Sequence, residues 1–402
     1  LQSKQQLRKS LKELTYQNLF NMALKGNKGE WSELYTFFKL LADGRLYCGD
    51  GQLNRYDDKF YPILEIFRDD SPNRNTYKVQ VAKNNILVAG ETVNIEISQE
   101  RFKQEAGFLL ERIKNMDSNT DFSYIQPFME LIDSHTVKAK SSDKADIRIV
   151  IHNLQTGSKP ELGYSIKSKL GADSTLINSN KDGTNFIYRV QGISAEQVIE
   201  FNSFDRFKKK FDYLKSIGGT VSYYKAANDV LHKNLTLLDL GIERIVADSL
   251  IDYYSGNGRT IAEITEHVSI TDPLNIASDT DQPMYAYKVK QFLLAFALGV
   301  TCSTPWYGNF HANGGYIVVK EDGDIVCYHF FDRNDLEDYL FFNTRFETPS
   351  TSRHLFGNIY QENGEYFLKL NLQVRFSRPR SVISTFAPVE PKNAYLSNSL
   401  FP

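Results

Sequence analysis

Cysteine is scarce in this chain: three residues in 402, Cys48, Cys302 and Cys327, with no CxxC pair. That excludes a disulfide framework, argues against a structural zinc site, and leads us to expect a reducing, cytoplasmic setting. Proline and glycine are sparse too, at 12 and 24, which argues against long linkers and disordered stretches. No charge of one sign dominates. The 47 basic and 49 acidic residues leave a formal charge of −2, whereas a general polyanion-coating protein would be strongly basic. A protein meeting nucleic acid along one groove stays open, because its basic residues need only cluster there. Long apolar runs are missing as well. The most apolar stretch, residues 292–300, falls far short of the roughly 20 residues that span a bilayer. No signal-peptide pattern is legible at the start, which is Leu1 rather than Met. There is no internal repeat and no low-complexity segment.

Core-forming material is plentiful. Hydrophobic residues make up 41%, with 23 Tyr and 27 Phe, and the length suffices for two or three structural units. Leu7, Leu11, Leu14, Phe20 and Ala23 recur at helical spacing before Gly26, and a second helix is expected over 30–43. Strands follow in YPILEIF from Tyr61, YKVQVA from Tyr77 and VNIEIS from Val93. Phe102, Ala106, Leu109, Leu110 and Ile113 then mark a helix. The middle turns to strand in DIRIVIH from Asp146, GYSIKSKL from Gly163 and NFIYRV from Asn185. From Ser194 a helical pattern runs, with breaks, to about Leu298. The last third contains a hairpin, YIVVKEDGDIVCYHF, a helix near 335–342, and a second hairpin turning at Asn363 and Gly364. The expectation is a mixed α/β protein. A mixed sheet flanked by helices occupies 1–230, a helical and β-hairpin region 231–376, and a loosely attached tail 377–402.

The segment KADIRIVIHNLQTGSKPELGYSIKSKLG gathers reactive side chains. A hairpin turning near Thr156 and Gly157 pairs position 146 with position 167, so Asp146 is expected opposite Lys167. Side chains alternate along a strand, which puts Gly163, Ser165, Lys167 and Lys169 on one face. A carboxylate beside a lysine suits phosphodiester hydrolysis. The acid offers a hard oxygen to a divalent cation, and the cation steadies charge on the phosphorane and the leaving oxygen. The lysine positions water or offsets the same charge. One carboxylate holds magnesium weakly, and the position two before the lysine, where a second acid commonly stands, is Ser165. Glu33 offers a substitute. It lies ~100° around the helix from Ser32, off the polar stripe formed by Ser32, Thr36, Lys39 and Asp43. There, beside Phe37 and Leu40, an acid is costly unless paired or bound to a cation. Plainer alternatives stand beside these readings. An Asp and a Lys on a hairpin are commonly a solvated face, and Glu33 is equally a helix-edge acid or a dipole partner. The run Lys208-Lys209-Lys210 is a solvated helix face before it is a DNA-backbone contact.

Several blocks resemble one known family. GEWSELYTFFKLLADGRLY, LGYSIKSKLG followed by STLINSN and TNFIY, then HANGGYIVVK and ETPSTSRH are similar to the HpaII-type restriction endonucleases, in order from about Lys25 to Phe376. The resemblance implies a type II enzyme that cuts double-stranded DNA within a short palindrome, typically CCGG, with Mg²⁺ as cofactor. It implies a PD-(D/E)XK restriction-endonuclease-like core with added helical and hairpin recognition elements. By the same resemblance Asp146 is the metal-binding acid, Lys167 the catalytic lysine, and Ile166 the donor of a backbone carbonyl to the metal. Glu33, in the matching WSELY block, is the second acid, with Ser165 at the variable acid position. Asn178, Thr184 and Asn185 follow the catalytic strand as expected phosphate contacts. Arg353 and His354, with Arg345 behind them, are the expected base readers, since the major groove calls for donors such as arginine on guanine. A polar turn is the alternative for that segment, and Asn313, Gly314 and Gly315 are equally a turn opening the hairpin. A homodimer on DNA and a companion DNA methyltransferase are the implied partners, with no membrane. Two other functions stay in view. One is a nonspecific or repair nuclease of the same fold, lacking discrete cleavage sites. The other is a catalytically inactive DNA-binding protein, kept in view by Ser165.

Overall fold

The computed structural model describes residues 24–69, 74–90, 93–117, 120–137 and 145–377. The helical pattern of 7–23 and the tail beyond 377 lie outside the described residues.

Helix α1 (Lys28–Asp43) starts at a capping box. The Asn27 side chain accepts from Gly29 N at 2.8 Å and Glu30 N at 3.1 Å, and Glu30 accepts the Asn27 N–H in return. Gly44, at φ 61°, ends the helix. Trp31, Leu34, Phe37, Phe38 and Leu41 on α1 are buried, and α1 packs on α2 (Gln99–Lys114). Between the two helices run β1 (Arg45–Gly49), β2 (Arg55–Asp69), β3 (Arg74–Gln80), β4 (Asn85–Ala89) and β5 (Asn94–Ser98). Then come α3 (Gln126–Leu131), β6 (Ile147–Ile151), β7 (Glu161–Ser168), β8 (Thr175–Ile177) and β9 (Asn185–Gln191). Next are α4 (Ala195–Ser203), α5 (Phe207–Ser216), β10 (Thr220–Ala226), α6 (Asp229–Leu238), α7 (Ile242–Ser255), α8 (Ile261–Thr271) and α9 (Met284–Leu298). The described chain ends with β11 (Gly315–Val319), β12 (Ile325–His329), α10 (Arg333–Phe342), β13 (Thr344–Phe346) and α11 (Thr351–His354). The last strands are β14 (Ile359–Glu362), β15 (Glu365–Asn371) and β16 (Val374–Phe376).

One mixed sheet has the order β1-β12-β11-β7-β6-β2-β3-β4-β5. β1 also pairs with β2, so the six strands from β1 round to β2 close on themselves like a small barrel, and β3, β4 and β5 extend from it. β7 runs parallel to β11, and β1 parallel to β12. Two smaller sheets, β10-β9-β15-β14 and β13-β16-β8, complete the set.

β7 parts two cores. Tyr164 and Ile166 look into a cluster shared with α1 and α2. Ser165 and Lys167 lie on the other face with their β11 partners Tyr316 and Val318, which belong to the larger cluster built on α7, α8 and α9. The face expected to carry chemistry therefore looks toward the later part of the chain.

Most expected elements are present. Asn363 (φ 50°) and Gly364 (φ 82°) both adopt the left-handed conformation that a two-residue hairpin turn requires. The helical reading after Ser194 needs correction, because residues 220–226 form β10, paired with β9. Strands from both sides of residue 230 share sheets: β11 and β12 lie between β7 and β1, and β15 lies beside β9. No described helix is long and apolar enough to cross a membrane.

Candidate active site

The β6–β7 hairpin turns earlier than the sequence suggests. Asn153 N donates to Ser158 O at 2.9 Å, while Asn153 Oδ1 accepts from Gln155 N at 2.9 Å and Thr156 N at 3.1 Å. This side-chain-capped turn centres on 155–156 rather than 156–157 and pairs Ile147 with Tyr164. The expected pairing of position 146 with position 167 is thus shifted by two residues, which leaves each strand side chain on its original face.

Asp146 sits at a bend immediately before β6, its N–H donating to Tyr164 O at 2.8 Å. Its Oδ2 accepts from Ser165 Oγ at 3.0 Å and from Ile166 N at 2.8 Å. Two donors fix the carboxylate's orientation, and the Ser165 contact puts it on the Lys167 face. In a strand, the N–H and C=O of one residue point to the same edge, so the Ile166 carbonyl also looks to the Asp146 side. Lys167 is half-buried, with Nζ 5.2 Å from the centre of the Tyr316 ring. Tyr316 is buried and pairs with Ser165, so the ring carries the ammonium on the face that holds Asp146.

Glu33 lies on α1 next to Ser32, whose hydroxyl accepts from Ser168 Oγ at 2.8 Å. The helix bearing Glu33 is therefore tied to the residue that follows Lys167, and Glu33 Oε2 is closed off from solvent. Among the described residues no group of three or more His, Cys, Asp or Glu is gathered to hold a metal. The oxygen donors brought together are the Asp146 carboxylate and the Ile166 carbonyl edge, whereas Ser168 anchors α1 and its Glu33 on the opposite, Tyr164–Ile166 face of β7. Magnesium keeps several waters and is commonly held by one or two carboxylates, so this sparse oxygen set fits it.

The two segments expected to touch DNA meet in space. Ser179 Oγ lies 3.3 Å from His354 Nε2, and Asn185 Nδ2 donates to His354 O at 3.3 Å. Asn178 and Arg353 are exposed at this junction. Thr184 and Asn185 are buried beneath it. Thr184 Oγ1 accepts from Asn180 N at 2.8 Å, and Asn185 donates to Lys181 O at 2.7 Å and accepts from Asn371 Nδ2 at 2.7 Å. Both are buried and hold the loop in place. Arg345 is braced as well, its guanidinium 3.1 Å from Asp173 and 3.1 Å from Glu347. Asn178 and Arg353 keep outward reach, whereas His354 sets Nε2 against Ser179 and has Nδ1 closed off from solvent. Sequence reasoning missed Tyr316, Asn371 and the Ser32–Ser168 contact, because each depends on a long-range pairing that no local pattern announces. All three cysteines are free, although Cys48 and Cys327 are register partners on β1 and β12.

An acid fixed by two donors, with a lysine on the same strand face, can support hydrolysis of a phosphodiester. Residues 27–376 match the model of the HpaII restriction endonuclease family. The chain is 42% identical over 353 residues to "Type II restriction enzyme HpaII" of Haemophilus parainfluenzae, covering 87% of this chain and 98% of that relative. No solved structure matches. The chain belongs to the HpaII restriction endonuclease family and is a type II site-specific deoxyribonuclease.

Proposed function

We propose that the enzyme cuts double-stranded DNA within a short palindrome of the CCGG type, by Mg²⁺-dependent hydrolysis at a PD-(D/E)XK-like centre. The observation that carries this reading is the Asp146 carboxylate, held by Ser165 and Ile166 on the Lys167 face of β7. Bound Mg²⁺ would supply positive charge against the scissile phosphate and lower the pKa of an attacking water. Asp146 and the Ile166 carbonyl would hold it. Ser165 keeps Asp146 turned to that task in place of a second acid. Lys167 orients the water and offsets charge growing on the phosphate oxygens, with the buried Tyr316 excluding solvent from beneath. Arg353 and Asn178 present donors to the DNA with His354 packed beside them on Ser179, while Thr184, Asn185 and Arg345 hold the surface that displays them. A homodimer matches the two-fold symmetry of a palindrome. A companion methyltransferase would protect the host's own sites in the same cytoplasm.

Digestion of a sequenced plasmid carrying CCGG, with Mg²⁺ or EDTA, followed by sequencing of the ends, tests the proposal. Discrete fragments that need Mg²⁺ and share a CCGG end are expected. Smearing would return the nonspecific nuclease, and cuts confined to another palindrome would replace the target.

A further inference from the structure

The connection between α9 and β11 is more ordered than a connection requires. Asn234, buried on α6, clamps it at three points. Its Nδ2 donates to Thr301 O at 3.0 Å and Thr304 O at 2.9 Å, and its Oδ1 accepts from Trp306 N at 2.9 Å. The Trp306 indole N–H closes the tip on Asn309 O at 2.8 Å. Gly308 takes φ 82° at that tip, and a Cβ on Gly299 would meet Asn309 O at 2.5 Å, so both positions call for glycine. Yet this fixed loop holds apolar surface in water: Tyr307 is 82% exposed and Phe310 38%. A preorganised loop displaying aromatic rings is shaped for something that covers them.

Its position says what. The end of the loop runs into the catalytic strand, with Gly163 N donating to Asn313 Oδ1 at 2.9 Å and Gly314 N donating to Gly163 O at 2.8 Å. A Cβ on Gly163 would meet Ala145 Cβ at 2.7 Å and His311 O at 3.3 Å. Gly163 shares its face with Ser165 and Lys167, so His311 and Ala145 lie over that face, and Ala145 is the residue before Asp146. DNA seated for cutting at Asp146 would pass this edge. Residues 301–313 contain no Lys, Arg, Asp or Glu, which suits an apolar contact with bases or sugars better than a clamp on phosphates.

We propose that the 301–311 loop is a DNA-contacting wedge beside the scissile phosphate, with Tyr307 and Phe310 packing against the duplex. The proposal rests on the Asp146 centre as the place of cutting. The chain has two tryptophans. Trp31 is 1% exposed and stacks on Phe122, which leaves Trp306 as a reporter for the loop. With linear plasmid duplex and EDTA, acrylamide quenching of fluorescence should fall on binding, and Trp306→Phe should abolish that change. Tyr307→Ala should lose about tenfold in duplex affinity, the scale of one lost ring–base contact, with a matching drop in cutting rate. Tyr307→Phe should retain both, and all variants should melt with the parent. Quenching that stays unchanged while a gel shift reports bound DNA overturns the wedge, as does Tyr307→Ala binding and cutting like the parent. If Asp146→Ala still cuts at the normal rate, the centre lies elsewhere. The quenching result then still decides, by itself, whether the loop touches DNA.

Discussion

Asp146 owes its orientation to a hydroxyl and a strand N–H, so its neighbours can be ranked by what their loss would do. Lys167→Ala removes the ammonium without touching those donors. Cutting should fall by about 10²-fold or more, the scale of losing one donor aimed at developing charge, while gel-shift affinity for duplex stays near the parent's. Cutting at the normal rate would remove Lys167 from the mechanism. Ser165→Ala leaves Ile166 N as the donor to Oδ2. It should give a milder loss of roughly tenfold, from one hydrogen bond to a charged group. A loss as deep as that of Lys167→Ala would mean the hydroxyl does more than orient the acid. His329 bears on stability instead. Its ring is fully buried near Tyr61 and Phe331, with Nδ1 accepting from Phe331 N at 2.9 Å. Burial pushes its pKa down to about 4, against ~6.5 in an unfolded chain. The unfolded state takes the proton first as pH falls, so stability present above about 6.5 drains away toward pH 4. The melting temperature of the parent should drop more steeply between pH 7 and 4.5 than that of His329→Gln. Parallel curves would clear His329 of that role.

Between elements, what matters is how β6, β7 and the loop before β11 are held in register. Gly163 has no space for a side chain, since a Cβ would sit 2.7 Å from that of Ala145. Gly163→Ala should therefore push the residue before Asp146 off the face, costing about 1–3 kcal/mol as overpacking does, and cutting should suffer more than stability. Ala145→Gly added to it removes that contact and should recover much of the activity. A double variant as poor as the single one would place the fault at His311 O instead. This level is also where the sequence was least legible. The hairpin, its reactive residues and the Asn363-Gly364 turn follow local rules of alternation and turn chemistry. The two-residue difference in register comes from Asn153, whose side chain draws the turn toward itself and away from the glycine. β10 is hard to see in sequence because TVSYYKA lies among helical segments and its partner β9 is about thirty residues away. The meeting of 178–185 with 353–354 likewise rests on β9 pairing with β15. Burial of Thr184 and Asn185 follows from that pairing, and Arg345 is braced through β13 and β16 beside Asp173 and Glu347, neither of which local composition reveals.

For the molecule as a whole, closure of the sheet ties the two ends of the described chain together. β1 hydrogen-bonds to β2 on one side and to β12 on the other, with Cys48 opposite Cys327. β11 supplies the neighbour of β7 and, in Tyr316, the ring against which Lys167 rests. A chain stopped at residue 230 would lose both late strands, leaving β1 and β7 with unpaired edges and the reactive face open to water. It would also strip β15 from β9. Residues 24–230 made alone should therefore show no cooperative melt, while the full chain should unfold in one transition, with circular dichroism and fluorescence coinciding. Adding residues 231–377 as a separate chain should restore folding only as far as the two pieces rebuild the closed sheet, and so only in a concentration-dependent way. A cooperative melt from 24–230 alone would mean the early strands carry their own core, and the boundary near 230 would then divide true domains.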